Sequence, residues 1–385
     1  MRILLTSNAS YAPPRGGSTR SNHAWLRQLV ARGHHCRVVS ASLGEDDERI
    51  SDGIQIRSVK SLILQPRVIP EEIRTYQPDL VLVSSEDVSH VLLRASARAA
   101  PGRIVYLAHT PQFYPFGPES WNPDPDASEI VRAAAGIVVI GRHMAAYVRQ
   151  HLGVAPAVIH PPIYGEPPFP SFGNFDHRQV LMVNPCEVKG ISIFLEIARR
   201  FPAFSFAALL GWGTTTADRN ALAAVPNIRL LGNVRRIDDV LANTRVLLIP
   251  SLWYEGFGLI VMEAMLRSIP VVASDSGGLE EAKQDTGLVV PVRRIEKYLA
   301  EFDEVHMPKP VIPEQDLSGW IDALQRLSED RDFYESESAR ARTAAERFVM
   351  SIDPWQIEGY LLSLKPPAIS RRALLARRLR ERQKS

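Results

Sequence analysis

Two carboxylates, Glu255 and Glu263, stand on either side of a Gly256-Phe257-Gly258 turn. An apolar run, residues 246–250, enters this stretch through polar residues 251–255, and a second apolar run, residues 259–266, leaves it. That order reads as buried strand, loop, then helix. A helix N-terminus carries unpaired N–H groups and the positive end of a dipole, so anions settle there. Helical side chains lean toward the N-terminus, so a helix starting near Gly258 points Glu263 back to the crevice that Glu255 enters. The chemistry this predicts is a phosphate seat beside two acceptors for hydroxyls, which a nucleotide sugar requires. The plainer alternative makes Glu255 a helix cap and Glu263 a solvated surface charge.

Further residues carry potential chemistry. Lys189-Gly190 follows the apolar run 180–183 and precedes a helical pattern, which suits a phosphate contact or an exposed lysine at a helix start. Gly16-Gly17 lies between the first strand and the first helix, where paired glycines permit positive φ and expose N–H groups. The loop is not G-x-G-x-x-G, which counts against a dinucleotide dehydrogenase. His109 ends the apolar run 104–108, so it faces the crevice outside the strand ends, or is satisfied by local backbone. Phe113, Tyr114, Phe116 and Trp121 lie in a proline-rich segment that forms either a rim for a ring-bearing acceptor or a rigid packed loop. Asp124-Pro-Asp126 could chelate a hard cation, but aspartates in a turn explain it more simply. No other metal-ligand spacing is present, and neither a metal nor a cofactor is predicted.

These residues need a scaffold, and the chain supplies one by alternating strand-like and helix-like segments. Strands are predicted over residues 3–6, 37–40, 80–84, 104–108 and 136–140, with helices over 18–32, 88–99 and 142–151. A second series follows, with strands over 180–183, 206–210, 228–231, 246–249 and 271–273. Such βα alternation argues for doubly wound parallel sheets. The proline-rich residues 161–177 read as the linker region, giving an acceptor-side domain 1–165, a linker 166–177 and a donor domain 178–350. Residues 351–364 read as a helix packing back on the first domain, and 365–385 as a flexible basic tail. Residues 294–315 read as an irregular insertion with one short helix.

Composition narrows the class. A chain of 385 residues, 45% hydrophobic and 23% charged, fits a two-domain soluble protein. A net charge of +2 is too balanced for a nucleic-acid partner. Cys36 and Cys186 have no metal or redox spacing, which fits a reducing compartment. No spanning apolar run is present, and residues 1–6 read as a first strand rather than a signal peptide, so a cytoplasmic protein is expected. In the tail, arginines alternate with Leu374, Leu375 and Leu379, which suits either peripheral contact with an anionic inner membrane face or plain solvation.

Residues 246–281 resemble the donor-binding region of glycosyltransferase family 4. The matching text is Glu255-Gly-Phe-Gly-x4-Glu263-Ala, then Ile269-Pro-Val-Val-Ala-Ser-Asp275 and Gly277-Gly-Leu-Glu280, and the resemblance extends over about residues 1–364. It implies the GT-B fold, two Rossmann-like doubly wound domains facing a central cleft. It implies transfer of a sugar from a nucleoside diphosphate, UDP being the commonest, to a hydroxyl of a glycan, lipid-linked or secondary-metabolite acceptor. Retention of anomeric configuration without a metal is implied too. By match, Glu255 contacts donor-sugar hydroxyls, Glu263 accepts from the ribose, and the N–H groups of Phe257, Gly258 and Leu259 meet the sugar or diphosphate. Lys189 takes the lysine place of an Arg-x4-Lys-Gly diphosphate element, and Asn184 stands where the arginine is usual. Val234, Arg235 and Arg236 follow in a loop where another cation could enter. Gly16 and Gly17 match the family's glycine loop, and His109 a histidine near the donor sugar. A nucleotide-sugar epimerase and a silent nucleotide-sugar-binding protein share this architecture.

Overall fold

Runs of aliphatic residues without polar alternation form the central parallel strands of two sheets, as expected of strands buried on both faces. The computed structural model describes residues 1–364 apart from Arg15, Asn233 and Arg235. The basic tail, 365–385, lies outside the described residues. The first sheet comprises β1 (Arg2–Ser7), β2 (His35–Ser42), β3 (Asp47–Ser51), β4 (Ile54–Lys60), β5 (Leu80–Ser84), β6 (Ile104–Ala108), β7 (Gly136–Val139) and β8 (Ala157–Val158). Their spatial order is β3-β4-β2-β1-β5-β6-β7-β8. Only β3 runs antiparallel to its neighbour, β4. The chain moves outward from β1 to β2 and later returns to β5 on the other side of β1. The crevice of this sheet therefore opens at the C-terminal ends of β1 and β5. The β3–β4 hairpin was not assigned from sequence. Its turn residues Asp52 and Gly53 have φ of 51° and 76°, the two-residue turn that an Asp-Gly pair favours.

The second sheet comprises β9 (Gln179–Val183), β10 (Ser205–Leu209), β11 (Ile228–Leu231), β12 (Thr244–Ile249), β13 (Val271–Ser274) and β14 (Val289–Val290). Its order is β11-β10-β9-β12-β13-β14, with every pair parallel. The chain reverses direction at β9 and β12, which places this sheet's crevice at Asn184 and Ser251. Two doubly wound α/β domains result.

Residues 294–315 depart from the sequence reading. No helix forms there; β15 (Tyr298–Phe302) and β16 (Pro308–Pro310) pair antiparallel. Asp303 closes the turn by accepting the Val305 and Met307 N–H groups at 2.9 and 2.8 Å. The local side-chain acceptor takes backbone donors that a helix would have used internally. Ile295 and Met307 anchor the hairpin in the core of the second domain.

The chain passes between the halves twice. Arg342 on the helix Arg331–Met350 holds the first passage by donating to the Phe169 and Pro170 carbonyls. After that helix the chain returns, and the helix Gln356–Ser363 docks on the first domain. Glu358 there pairs with Arg32 at 3.0 Å and His34 at 2.9 Å, and the Tyr360 hydroxyl accepts from the Ile137 N–H. The passages adjoin: His160 lies 4.8 Å from Phe348 and 5.4 Å from Phe257, and Phe257 stacks on Phe348 at 5.5 Å. Glu281 of the second domain accepts from the Arg142 and His143 N–H groups, capping the helix Arg142–Leu152 of the first.

Candidate active site

The site grows from the β9/β12 switch point. Lys189 ends a short turn after β9, and Gly190 follows with φ of 79°, its α-carbon pressed against the Pro250 carbonyl at the end of β12. That close packing brings Lys189 Nζ to 2.5 Å from Glu255 Oε1 and 4.0 Å from the Trp253 ring centroid. Ser251 Oγ donates to the same carboxylate oxygen. Lys189 and Glu255 side chains are 15% and 14% exposed, so each keeps one face to the crevice. Gly277, at φ of 64°, packs flat on the Glu255 backbone, and the Gly278 N–H donates to the Glu255 carbonyl at 2.8 Å. Gly258 takes φ of 97° and opens the helix Leu259–Leu266. Phe257 turns its ring away from the crevice into the contact between the passages, leaving its backbone on the turn.

Glu263 is buried, one turn inside that helix, and its Oε1 accepts from Arg20 Nη2 at 2.5 Å. Arg20 belongs to the first domain, on the helix Gly17–Ala31, and was not singled out from sequence. Gly16 precedes this helix with φ of 86°, and a Cβ on Gly17 would lie 3.2 Å from Leu259 Cδ1. The glycine loop therefore meets the start of the helix Leu259–Leu266. Burial first, then the Glu263 charge, pushes the nearby Tyr164 hydroxyl well above its ordinary range, and that hydroxyl has no hydrogen-bond partner. Asn184 adopts φ of 56°, a left-handed conformation that asparagine tolerates well. Its Oδ1 accepts from the Gly213 N–H at 2.9 Å, while its buried Nδ2 is unpartnered.

Across the crevice, His109 is fully packed, stacked 5.9 Å from Trp25, with its carbonyl against Gly256. Asn22 Nδ2 donates to the Tyr11 hydroxyl at 2.8 Å and to Ser84 Oγ at 3.2 Å, which orients the amide. Its Oδ1 then faces His109 Nε2 at 2.7 Å, so Nε2 carries the ring proton and the unpartnered Nδ1 is a bare acceptor. Glu86, at the end of β5, accepts from Ser7, Ser18 and Ser84, and burial raises its pKa against the lowering by these hydroxyls. It too was missed from sequence; the available signal was a carboxylate directly after a buried strand.

Burial holds His109 down to about 3. The unfolded chain titrates near 6.5, so below that pH it takes up a proton that the folded chain refuses. Stability from this group is complete above about pH 6.5 and is lost as pH falls toward 3. His109→Gln should therefore flatten the fall in urea midpoint between pH 6.5 and 4, and an unchanged slope would remove this role from His109.

The aromatic segment divides. Tyr114 and Phe116 are buried in the core of the first domain, so they are packing residues rather than an accessible rim. Phe113 and Trp121 remain partly exposed, 5.4 Å apart, and Trp121 reaches Trp253 at 6.1 Å and Tyr298 at 5.6 Å in the second domain. Val234 is 38% exposed, beside Gly232 and Asp239 at the edge of the second sheet, and Arg235 lies outside the described residues. Asp124 caps the helix Pro125–Arg132 by accepting from the Ala127 N–H and pairs with Arg94, while Asp126 sits in that helix's first turn. Among the described residues no group of three His, Cys, Asp or Glu is placed to hold a metal ion. No described helix is long and apolar enough to cross a membrane.

Two doubly wound domains meeting at their switch-point crevices define the GT-B fold. The chain carries both domains of the GT-B glycosyltransferase superfamily: residues 15–164 match the Glycosyltransferase Family 4 model, and residues 178–306 match Glycosyl transferases group 1. A sucrose-phosphate synthase from Thermosynechococcus elongatus superposes with a TM-score of 0.73 at 17% identity, covering 94% of this chain and 98% of that one. Anabaena HepE, solved with UDP and glucose, gives 0.66 at 17% identity, covering 94% and 100%. A glycosyltransferase from Rickettsia africae gives 0.64 at 13% identity, covering 94% and 99%. Identities this low speak for the fold alone. Among curated proteins, none matches the chain.

Proposed function

We propose that the protein is a retaining glycosyltransferase of family 4 type that moves a sugar from a nucleoside diphosphate, UDP by preference, to a hydroxyl acceptor. The observation that carries this reading is the Lys189–Glu255 pair at 2.5 Å, set where both strands and a glycine turn deliver it to the crevice. Lys189 offsets charge on the leaving diphosphate, Glu255 orients the sugar hydroxyls, and Glu263 serves the ribose. The N–H groups of Phe257, Gly258 and Leu259, with Gly16 and Gly17 opposite, line the approach to sugar and phosphates. Asn184 Nδ2 offers a neutral donor, and His109 Nδ1 offers a neutral acceptor to the sugar. Front-face attack, with the diphosphate assisting removal of the acceptor proton, needs position and charge rather than a covalent nucleophile or a metal. Residues 1–165 form the acceptor side in this reading, with Phe113 and Trp121 at its mouth, and residues 178–350 form the donor side. Val234 and Arg235 are assigned to donor binding, in a loop where a further cation could enter. A cytoplasmic site of action, with the 365–385 tail against an anionic membrane face, completes the proposal.

A panel of nucleotide sugars tests it. Ligand that binds only the folded state raises the melting temperature with concentration. One donor is expected to stabilise and, with a hydroxyl acceptor, to yield a glycoside of unchanged anomeric configuration. A flat response to every donor would sink the reading, and a new nucleotide sugar formed without acceptor would make the protein an epimerase.

A further inference from the structure

We propose that Arg20 supplies the second cation for the donor diphosphate, and that in moving to the phosphates it frees Glu263 for the ribose hydroxyls. The inference rests on the donor-site reading above. A diphosphate leaving group carries more charge than Lys189 alone can meet. Asn184, at the place of the family's arginine, has no charge and spends Oδ1 on the Gly213 N–H. Arg20 arrives from the opposite domain, one turn beyond the Gly16-Gly17 loop, which itself abuts Leu259 at the start of the Glu263 helix. Its side chain is 39% exposed while that of Glu263 is 5% exposed. The carboxylate is fixed and the guanidinium has room to leave.

The exchange balances chemically. Without donor, Arg20 spares Glu263 the cost of a buried, unpaired charge. With donor, ribose hydroxyls donate to Glu263 in its place, and the guanidinium exchanges a carboxylate for a phosphate, which its planar fork fits equally well. Tyr164, buried beside this pair with an unpartnered hydroxyl, is a further polar group left for a ligand to satisfy. Because Arg20 and Lys189 sit on different domains, the diphosphate ties the two halves together when it binds.

Calorimetric titration of the full chain with UDP, UMP and uridine tests this, with the ADP and GDP series run alongside. The wild type should bind a diphosphate more tightly than its monophosphate and nucleoside. Arg20→Ala should weaken the diphosphate by about ten- to a hundredfold and leave the nucleoside within about twofold, with Arg20→Lys recovering part of the loss. Glu263→Gln should do the reverse, weakening the nucleoside while keeping the gain per phosphate. Equal weakening of all three ligands in Arg20→Ala, or no weakening, overturns the assignment. A wild type that binds no nucleoside diphosphate overturns the donor-site reading itself.

Discussion

Lys189→Ala is expected to lower kcat/KM for donor-dependent transfer by about a hundred- to a thousandfold, the usual scale for one preorganised group facing developing charge. Two losses coincide. The ammonium 2.5 Å from Glu255 Oε1 is removed, and with it the charge that the proposed reading sets against the leaving diphosphate. Glu255, 14% exposed, then keeps only the Ser251 hydroxyl and is free to turn from the sugar. Lys189→Arg is not a full rescue, because the larger planar guanidinium cannot take the compact position of an ammonium 2.5 Å from Glu255 Oε1 without shifting that carboxylate. The fall should lie mainly in kcat, since the charge matters most as the bond breaks. Steady-state kinetics with the donor identified by thermal shift decide it; a rate within a few-fold of wild type removes Lys189 from the chemistry.

Gly277→Ala is expected to destabilise the fold by about 2–3 kcal/mol and to abolish most activity at once. At φ of 64° a Cβ is strained, and here it would also lie 2.5 Å from the Glu255 amide nitrogen. Relief requires the Glu255 backbone to move, which breaks the Gly278-to-Glu255 hydrogen bond and shifts the carboxylate from Lys189. Gly153→Ala is the control. At φ of 76° and ψ of 14° it carries left-handed strain, but nothing lies within 4 Å of the new methyl, so about 1 kcal/mol and near-normal folding are expected. Urea titration of the two variants separates strain from collision; equal losses would mean that the contact with Glu255 has no consequence.

Much of this was legible in the sequence, for identifiable reasons. β12 is buried at all six residues, and its apolar run, residues 246–249, is of the kind that announces central strands of parallel sheets. The glycines flanking Phe257 and the pair at 277–278 read as turns, and in the structure they also pack closely on His109, Leu279 and the Glu255–Gly256 backbone. What stayed hidden depends on partners distant in the chain. Arg20 and Glu263 are separated by 243 positions, and no local pattern predicts that one holds the other. Tyr114 and Phe116 share the composition of an exposed rim, yet Tyr106 and Tyr147 close over Tyr114 from elements outside that segment. Glu86 is a charged residue in a polar stretch until three serines from separate places enclose it. The hairpin at 298–310 turns on a carboxylate clasping its own backbone, which carries no periodicity to detect.

The two passages between the halves lie side by side at His160, Phe257 and Phe348. Paired tethers behave like the pin of a door: they permit swinging and resist pulling apart. In any such swing, travel grows with distance from the pin. Phe257 sits on it, so the neighbouring Gly256, packed against the His109 carbonyl, would travel least and keep Glu255 and His109 in register. Glu255 and His109 thus lie at the still centre of any such swing, and the largest travel falls to the outer margins.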